Sequence, residues 1–269
     1  MSKVKFIYNY PIDLDIETDK NVEVYIDQFS MDDIPAGSIR IVILEEPSSD
    51  PLGGLLISLV QQHPDLYTHL LTFREDILAT NPKARLFHCP NTWVKGYVSA
   101  KKKFRVSTVV GGKGDPQMHG YALRHEIWRN KERVVTPKEF YLSGDYIWEE
   151  ADYSNELVLG ASKEPLFDSM FHIAIENTSI KHYFSEKIID CFQTRTVPIY
   201  CGCINIEEYF NIDGIIVVND VEDIIQVCNE LTPEMYNDML PAMEENFIKS
   251  NQWCDGKERI KNAIMNLIN

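Results

Sequence analysis

Short apolar segments alternate with polar ones along the chain, and their spacing predicts a regular succession of strands and helices. In the first hundred residues, segments rich in Val, Ile and Tyr predict strands at 3–8, 22–26, 39–44, 66–72 and 85–88. Helical spacing of apolar residues predicts helices at 55–62 and 74–80. Strands and helices that alternate in this order are typical of a parallel sheet covered by helices.

The remaining residues repeat this alternation after a change of composition at KKKFRVSTVVGG, residues 101–112. The pattern predicts strands that continue from this segment and recur at 171–175, 197–200 and 214–218. It predicts helices at 118–131, 185–194, 205–211, 221–230, 233–249 and 255–269. We therefore predict an α/β protein of two Rossmann-like domains, 1–100 and 101–269, that face each other across a cleft.

Composition limits the partners of such a protein. The chain has 269 residues, of which 44% are hydrophobic and 11% aromatic, as in soluble globular proteins. A formal net charge of −15 argues against a general binder of nucleic acid or of anionic membranes, although a local basic cluster can still bind phosphate. The start, MSKVKFIYNYP, lacks the apolar core of a signal peptide, and no later segment is apolar enough to span a bilayer. Six scattered cysteines without a CxxC pair predict reduced thiols, and we expect a cytoplasmic protein without stable membrane insertion.

A glycine-rich segment, STVVGGKG at 107–114, follows one of the predicted strands and precedes a helix. Glycines let backbone N–H groups approach a phosphate, so Gly112 and Lys113 are candidate ligand-binding residues. The segment lacks the spacing of a P-loop and of a dinucleotide fingerprint, and an ordinary turn remains the alternative.

Charged residues on two predicted helices suggest an anion site. Arg124 lies on the helix 118–131, where its guanidinium group could reach a diphosphate or simply contact solvent. Glu186 and Lys187 begin the helix 185–194, with Ser185 as its expected N-cap. A cation at a helix start is electrostatically unfavourable, and a bound phosphate would reverse that cost.

Acidic residues supply two further candidates. Glu45 and Glu46 end a predicted strand, where one of the two carboxylates could act as a general base. Because neighbouring residues of a strand point to opposite faces, we expect at most one of them to reach a cleft. Asp13 and Asp15 form a DxD pattern like that of metal-dependent glycosyltransferases, but such short acidic patterns arise by chance in an acidic chain.

The segment FHIAIENTSIKHYFSEKIIDCFQTRTVPIYCG, 171–202, resembles the donor-binding motif of the alpha-1,3-fucosyltransferase family. That motif reads as a Phe, then A-F-E-N-S, a Tyr, T-E-K, and V-P-V or I-P-I before a Gly. The matching residues are Phe171, Ala174, Glu176, Asn177, Tyr183, Glu186, Lys187, Pro198 and Gly202. Ile175, Thr178 and Ser185 depart from the motif, in which Phe, Ser and Thr occupy these positions.

Shorter segments extend the resemblance. FRVS at 104–107 is similar to the family's F-x-V-S strand, and Arg124 to the arginine that follows that strand. LEEPSSDP at 44–51 is similar to the family's F-E-S-P-S segment, which would give Glu45 the position of the proposed base. The resemblance implies a GT-B fold with the acceptor domain first and the nucleotide-sugar domain second.

The resemblance also implies an activity: inverting, metal-independent transfer of fucose from GDP-fucose to a hydroxyl group of a glycan acceptor. It implies that Glu186 holds the ribose, that Lys187 and Arg124 neutralise the departing diphosphate, and that Glu45 takes the proton of the acceptor. The donor site would further include Ser107, Asn177 and Tyr183, with Glu176 as an additional candidate. No metal ion or other cofactor is expected.

Three alternatives remain at the level of the sequence. The same fold could use another nucleotide sugar, or it could bind a nucleotide or carbohydrate without catalysis. A metal-dependent transferase that uses Asp13 and Asp15 is the third. The missing membrane anchor favours a bacterial or viral cytosolic enzyme within this family.

Overall fold

The computed structural model describes residues 2–9, 12–47, 53–88, 90–99, 101–112, 118–143 and 156–269. The chain forms two compact units. Unit 1 comprises Met1–Cys89, Lys181–Tyr183 and Asp255–Asn269, and unit 2 comprises Pro90–Ile180 and Phe184–Cys254. None of the described helices is long and apolar enough to cross a membrane.

Unit 1 contains a five-stranded parallel sheet in which the strands follow one another in chain order, β2-β4-β5-β6-β7. These strands are β2 (Lys5–Ile7), β4 (Asn21–Ile26), β5 (Ser38–Ile43), β6 (His69–Thr72) and β7 (Ala84–Leu86). Two short strands, β1 (Ser2–Lys3) and β3 (Glu17–Thr18), pair antiparallel beside the sheet. The helices of this unit are α1 (Gly53–Gln62), α2 (Glu75–Thr80) and α7 (Gly256–Ile268).

Alternation along the strands of unit 1 produces two apolar cores, because successive side chains point to opposite faces of a sheet. Val42 packs with apolar residues of α1 and α2, including Leu56 and Ile77. Ile41 and Ile43 pack in a second cluster with three residues of α7, namely Ile260, Ile264 and Ile268. The last helix of the chain therefore completes the first unit.

Unit 2 contains a six-stranded sheet, and every pairing in it is parallel. Its strands are β8 (Lys103–Val110), β9 (Lys138–Ser143), β10 (Leu157–Leu159), β11 (Ser169–Ile175), β12 (Val197–Cys201) and β13 (Ile216–Val217). Its helices are α3 (His119–Arg129), α4 (Glu186–Gln193), α5 (Val221–Glu230) and α6 (Pro233–Ser250).

The order of these strands, β10-β9-β8-β11-β12-β13, is that of a Rossmann sheet. The chain leaves β8 toward β9 on one side and leaves β11 toward β12 on the other. The order thus reverses between β8 and β11, and ligands of such sheets bind beyond the carboxyl ends of the strands at this point. The prediction of an α/β protein with Rossmann-like parallel sheets is confirmed.

Several element boundaries differ from the sequence-based expectations. The predicted helix 205–211 is replaced by one short 3-10 turn, Ile206–Glu208, and a second 3-10 turn follows at Ile212–Gly214. The strands β9 and β10 were not predicted, because β9 carries buried apolar side chains only at Phe140 and Leu142 and β10 lies at the sheet edge.

The division of the chain also differs from the predicted domains 1–100 and 101–269. Unit 2 begins at Pro90, and Asp255–Asn269 belongs to unit 1. The helical pattern at 255–269 predicts α7 correctly as an element but carries no information on which sheet its apolar side covers. The functional roles of the two domains, acceptor side first and nucleotide-sugar side second, stay predictions.

Candidate functional site

A cavity of about 900 Å³ lies in unit 2 at the carboxyl ends of β8 and β11. It is lined by Gly111 and Gly112 after β8, by Asn177 after β11, and by side chains of α3 and α4. Four of the residues predicted to bind a donor, Arg124, Asn177, Glu186 and Lys187, line it together. The Rossmann order explains this convergence, because it brings both strand ends to the same edge of the sheet.

Arg124 is held in place by contacts from α3 to the end of β11. Its Nε donates to the carbonyl oxygen of Ile175 at 3.2 Å, and its Nη2 donates to Asn177 Oδ1 at 2.6 Å. Its guanidinium group also lies 4.7 Å from the centre of the Tyr121 ring. A charged, planar donor group is thereby oriented at the cavity wall.

Gly120 allows α3 to approach the end of β11 closely. A Cβ atom at this position would lie 1.7 Å from the carbonyl oxygen of Glu176, which leaves no room for a side chain. The Gly120 N–H group donates to the carbonyl oxygen of Asn177 at 3.1 Å. Glycine plays the same part in other Rossmann domains, where it permits close packing of helix and strand.

Glu176 fixes the start of α4. Its side chain is buried, and its two oxygens accept from the Ser185 N–H at 2.9 Å and from the Ser185 hydroxyl at 2.6 Å. Gly202 leaves the space for this carboxylate, since a Cβ there would lie 2.5 Å from Glu176 Cγ. The predicted N-cap Ser185 is also present, with its hydroxyl oxygen accepting from the Lys187 N–H.

Lys187 lies within reach of two carboxylates. Its Nζ is 3.3 Å from Glu186 Oε1 and 3.6 Å from Glu176 Oε2. Burial works against its charge, but Glu186 and Glu176 outweigh that effect, so the pKa of Lys187 is raised above its ordinary value. These carboxylates offset the unfavourable position of a cation at a helix start.

Glu186 remains ionised for a related reason. Burial by itself raises the pKa of this carboxyl group, yet the charges of Lys187 and Lys163 overcome it and bring the pKa to about 2. Lys163 Nζ lies 3.2 Å from Glu186 Oε1 and 4.6 Å from the centre of the Trp93 ring. The cavity wall therefore carries fixed charges of both signs at neutral pH.

The other predicted donor residues lie elsewhere. Ser107 is fully buried in β8 and donates to the carbonyl oxygen of Leu166 at 2.7 Å, and it is not part of the cavity wall. Tyr183 belongs to unit 1, where its ring packs 5.2 Å from that of Phe73. Lys113 lies outside the described residues.

The proposed base lies in unit 1, just beyond β5. The Glu45 side chain is partly buried and accepts from Tyr8 Oη at 3.3 Å, whereas Glu46 is exposed. Asp27 Oδ1 accepts from the Glu45 N–H at 2.9 Å and from the Glu46 N–H at 3.3 Å. Burial is the main cause that raises the pKa of Asp27 to about 7, with the charges of Glu45 and Glu46 adding to it.

Among the charged and histidine side chains that line the cavity, three were not singled out from the sequence: Lys163, His172 and Asp190. A signal existed for Asp190, because it follows Glu186 by four residues in a predicted helix, and this spacing places two side chains on the same side. Lys163 lies in a stretch to which no element was assigned. His172 lies inside an apolar strand, where sequence periodicity does not separate a buried structural histidine from a ligand contact.

The described residues contain no group of three or more His, Cys, Asp and Glu side chains that could hold a metal ion. Asp13 and Asp15, the acidic pair in the DxD pattern, are both exposed, and Asp15 forms an ion pair with Lys3 at 2.8 Å.

Residues 147–253 match the family model for glycosyltransferase family 10 (fucosyltransferase), C-terminal part. A search of curated protein sequences finds no significant match.

Solved structures show the same fold at low sequence identity. An alpha1,3-fucosyltransferase structure aligns with a TM-score of 0.51 at 14% identity, over 82% of this chain and 70% of that one. A structure of alpha1,3-fucosyltransferase with GDP-fucose aligns with the same TM-score at 16% identity, over 82% of this chain and 70% of that one. A mutant of S. aureus TarM in complex with UDP aligns with a TM-score of 0.52 at 8% identity, over 92% of this chain and 55% of that one.

The family match covers the motif, the α4 start and most of the cavity wall, and it supports the resemblance to alpha-1,3-fucosyltransferases. Residues 147–253 thus match a fucosyltransferase family domain, and the observed parallel α/β sheets give the chain a fucosyltransferase-like fold.

Proposed function

We propose that this protein transfers fucose from GDP-fucose to a hydroxyl group of a glycan acceptor, with inversion at the anomeric carbon and without a metal ion. The observation that carries the proposal is the group of two cations, Arg124 and Lys187, at the switch point of a Rossmann sheet. Both are charged donors oriented by the protein, and diphosphates bind at such strand ends and helix starts.

The donor would lie with its diphosphate between Arg124 and Lys187 and its ribose against Glu186. A carboxylate is a suitable acceptor for ribose hydroxyl groups, and the low pKa of Glu186 keeps it ionised for this role. The two cations would stabilise the negative charge that develops on the diphosphate as it leaves, which is the role a metal ion plays in other transferases.

In the proposed reaction, Glu45 takes the proton of the acceptor hydroxyl group while its oxygen attacks the anomeric carbon from the face opposite GDP. The new C–O bond forms as the bond between that carbon and the phosphate oxygen breaks, and GDP leaves with the bonding electrons. A diphosphate stabilised in this way requires no protein acid. A positioned base typically accelerates such a step by roughly 10²–10⁴-fold.

The test begins with a thermal-shift panel of GDP-fucose, GDP-mannose, UDP-sugars and the free nucleotides. We expect GDP-fucose and GDP to raise the melting temperature and UDP compounds to leave it unchanged. Mass spectrometry should then detect released GDP and a fucosylated acceptor, at equal rates with and without EDTA. Stabilisation by a different nucleotide sugar would replace fucose with that sugar, and binding without transfer to any of a panel of glycan acceptors would favour a non-catalytic role.

A further inference from the structure

The carboxyl edge of the sheet in unit 1 brings together side chains from three neighbouring strands. Tyr8 follows β2, Asp27 follows β4, and Glu45 lies just beyond β5. These three strands are adjacent and parallel, so their carboxyl ends meet at one edge of the sheet. Glu45, the proposed base, is therefore placed next to polar groups that the two preceding strands supply.

Asp27 leaves β4 in an uncommon backbone conformation. Its φ is +47°, in the left-handed region that Asp and Asn occupy more readily than other residues with a side chain. Its N–H group donates to the carbonyl oxygen of Ile43, the last residue of β5, at 2.9 Å. The backbone of Asp27 is thereby joined to β5, and its side chain reaches the residues that follow this strand.

One oxygen atom of Asp27 holds two consecutive backbone groups after β5. Asp27 Oδ1 accepts from the Glu45 N–H at 2.9 Å and from the Glu46 N–H at 3.3 Å. Successive N–H groups that point to one anion form a concave nest, and here a side chain of the protein itself occupies it. On the other side of β5, the Leu44 N–H donates to the carbonyl oxygen of Leu71 in β6 at 2.9 Å. The backbone that carries the two glutamates is thus fixed from both sides.

This backbone sets the different surroundings of the two carboxylates. The Glu45 side chain is partly buried and its Oε2 accepts from Tyr8 Oη at 3.3 Å, whereas Glu46 is exposed. Asp27 holds the main chain from which the Glu45 side chain extends, and Tyr8 contacts its carboxylate. Such support matters for a base, because a misplacement of about 1 Å in a catalytic group can slow a reaction by about 10²-fold.

We propose that Asp27 is the positioning residue of the acceptor base: by accepting from two consecutive N–H groups, it holds Glu45 in the orientation in which its carboxylate takes the acceptor proton. This inference rests on the proposed function, in which Glu45 is that base. Asp27 itself moves no proton in this role. A side chain that keeps an acceptor oxygen at the position of Oδ1 should therefore replace it, and a side chain that lacks one should not.

The ionisation of Asp27 determines which replacement is a fair comparison. Burial, with the charges of Glu45 and Glu46 adding to it, raises the pKa of Asp27 to about 7. At pH 6.5 the neutral carboxylic acid therefore predominates. Asparagine matches this form in shape and charge, and its amide oxygen can accept both N–H groups. Assays at pH 6.5 thus separate the loss of the hydrogen bonds from a change of charge.

The first experiment compares Asp27→Gly with Asp27→Asn in an assay of sugar transfer from GDP-fucose. Glycine adopts a positive φ without strain, so Asp27→Gly removes the acceptor oxygen alone. We expect it to lower kcat by about 10- to 100-fold and to leave the calorimetric affinity for GDP within about twofold. We expect Asp27→Asn to keep kcat within about threefold. Asp19→Gly, at an exposed bend between β3 and β4, is the control and should change neither quantity. Full kcat in folded Asp27→Gly, or an equally low kcat in Asp27→Asn, would overturn the assignment.

The second experiment asks whether Asp27 acts through Glu45, by means of a double-mutant cycle. If it does, Asp27→Gly has nothing left to misplace once Glu45→Gln has removed the base. We expect the double variant to have the kcat of Glu45→Gln alone. A double variant that loses as much additional activity as Asp27→Gly loses by itself would show that the two residues act independently, contrary to the proposal. A merely structural role of Asp27 would lower the melting temperature and leave the kcat of the folded protein unchanged.

The failure of this inference can be distinguished from failure of the proposed function. If Glu45→Gln is impaired and Asp27→Gly is fully active, the assignment of Asp27 is wrong and the proposed reaction stands. If the unaltered protein transfers no sugar, or if Glu45→Gln is fully active, the proposed base fails and the inference fails with it. If Asp27→Gly does not fold, Asp27→Ser takes its place, because its hydroxyl oxygen is one bond closer to the backbone than Oδ1 and should give the same loss of kcat.

Discussion

Lys187 illustrates how neighbouring side chains compensate a locally unfavourable residue. In the sequence, a cation at the start of a helix suggested a bound anion. In the structure, Glu176 and Glu186 already lie close to its ammonium group and raise its pKa. The lysine is thus held charged and in place before any ligand arrives, which is the preorganisation that electrostatic stabilisation of a leaving group requires.

Removing either cation from the cavity should weaken nucleotide binding. We expect Lys187→Ala and Arg124→Ala each to lower the affinity for GDP by about 10- to 100-fold, because each would remove a charged hydrogen bond to the diphosphate. Turnover should fall together with binding. Calorimetry and an assay of GDP release measure the two effects, with Lys249→Ala, an exposed lysine of α6, as the control. Normal affinity in both cavity variants would place the diphosphate elsewhere.

Glu45 belongs to unit 1 and its proposed role concerns only the acceptor. We expect Glu45→Gln to reduce transfer at least about 10²-fold, the contribution of a general base, while donor binding stays within about twofold. Glu46→Gln serves as the control, since its side chain is exposed. An active Glu45→Gln protein beside an inactive Glu46→Gln protein would move the base by one residue.

The raised pKa of Asp27 predicts how the free energy of unfolding depends on pH. Its carboxyl group has a pKa of about 7 in the folded protein, higher than its ordinary value, so the folded state holds this proton more strongly than the unfolded state does. Binding of this proton therefore adds to the free energy of unfolding at low pH, and the added part is lost as the pH rises from about 4 to about 7. We expect a loss of about 2 kcal/mol over this range, allowing for partial exposure to water.

The conservative variant Asp27→Asn should lack this dependence. Asp27 has a positive φ of 47°, a conformation that Asn adopts at least as readily, and the amide oxygen can still accept from the Glu45 and Glu46 N–H groups. Urea unfolding of both proteins between pH 4 and pH 8 measures the difference. If the free energies of unfolding of the two proteins changed with pH in the same way, the pKa of Asp27 would be an ordinary one.

At the level of elements, the site depends on how closely α3 and α4 approach β11. The start of α4 is held by Glu176, the first residue after β11, and the start of α3 by the contact of Gly120 with the backbone at Glu176 and Asn177. The two helix starts are thus tied to the same strand end. This shared attachment explains how residues distant in sequence are held around one cavity.

A methyl group at the α3 contact should disturb both helices. We expect Gly120→Ala to lower the free energy of unfolding by about 1–3 kcal/mol, the usual range for overpacking, and to weaken GDP binding. Gly54→Ala in α1 is the matched control, because a Cβ there meets no atom within 4 Å. This control should be neutral or about 0.5–1 kcal/mol more stable, since alanine is the better helix former. Equal stability and GDP affinity in both variants would contradict the close contact.

At the level of the whole molecule, the chain returns to unit 1 at its last helix. Ile260, Ile264 and Ile268 recur at helical spacing on one side of α7 and are buried against the sheet of unit 1. Unit 1 is therefore built from both ends of the chain, and Pro90–Ile180 and Phe184–Cys254, which build unit 2, lie between them in the sequence.

Loss of the α7 contact should destabilise unit 1 selectively. We expect Ile264→Ala to cost about 2–5 kcal/mol, the usual range for removing a buried Ile side chain. Hydrogen exchange should then be faster at the amides of β4 and β5 and unchanged at those of β11 and β12. Asn266→Ala, on the exposed side of α7, is the control and should change stability by no more than about 0.5 kcal/mol. Faster exchange in unit 2 alone would contradict the assignment of α7 to unit 1.

The sequence by itself determined the α/β class, most of the helices and strands, and the motif around Asn177, Glu186 and Lys187. These features follow from local patterns: apolar spacing, capping residues and the identity of a short segment. The helix expected at 205–211 was wrong because its amphipathic spacing extends over less than two turns. A 3-10 turn at Ile206–Glu208 and the residues after it bury Ile206 and Phe210 without a helix.

Only the tertiary structure decided the features that depend on residues far apart in the chain. The strand order joins β8 to β11 and so brings Arg124 to Asn177, across 53 positions. Tertiary packing also places Ser107 outside the cavity wall and α7 against the sheet of unit 1. It leaves Asp190 Oδ2 without a hydrogen-bond partner among the described residues. Periodicity records which side of an element is apolar, but the partner that covers it is chosen by the packing of the whole chain.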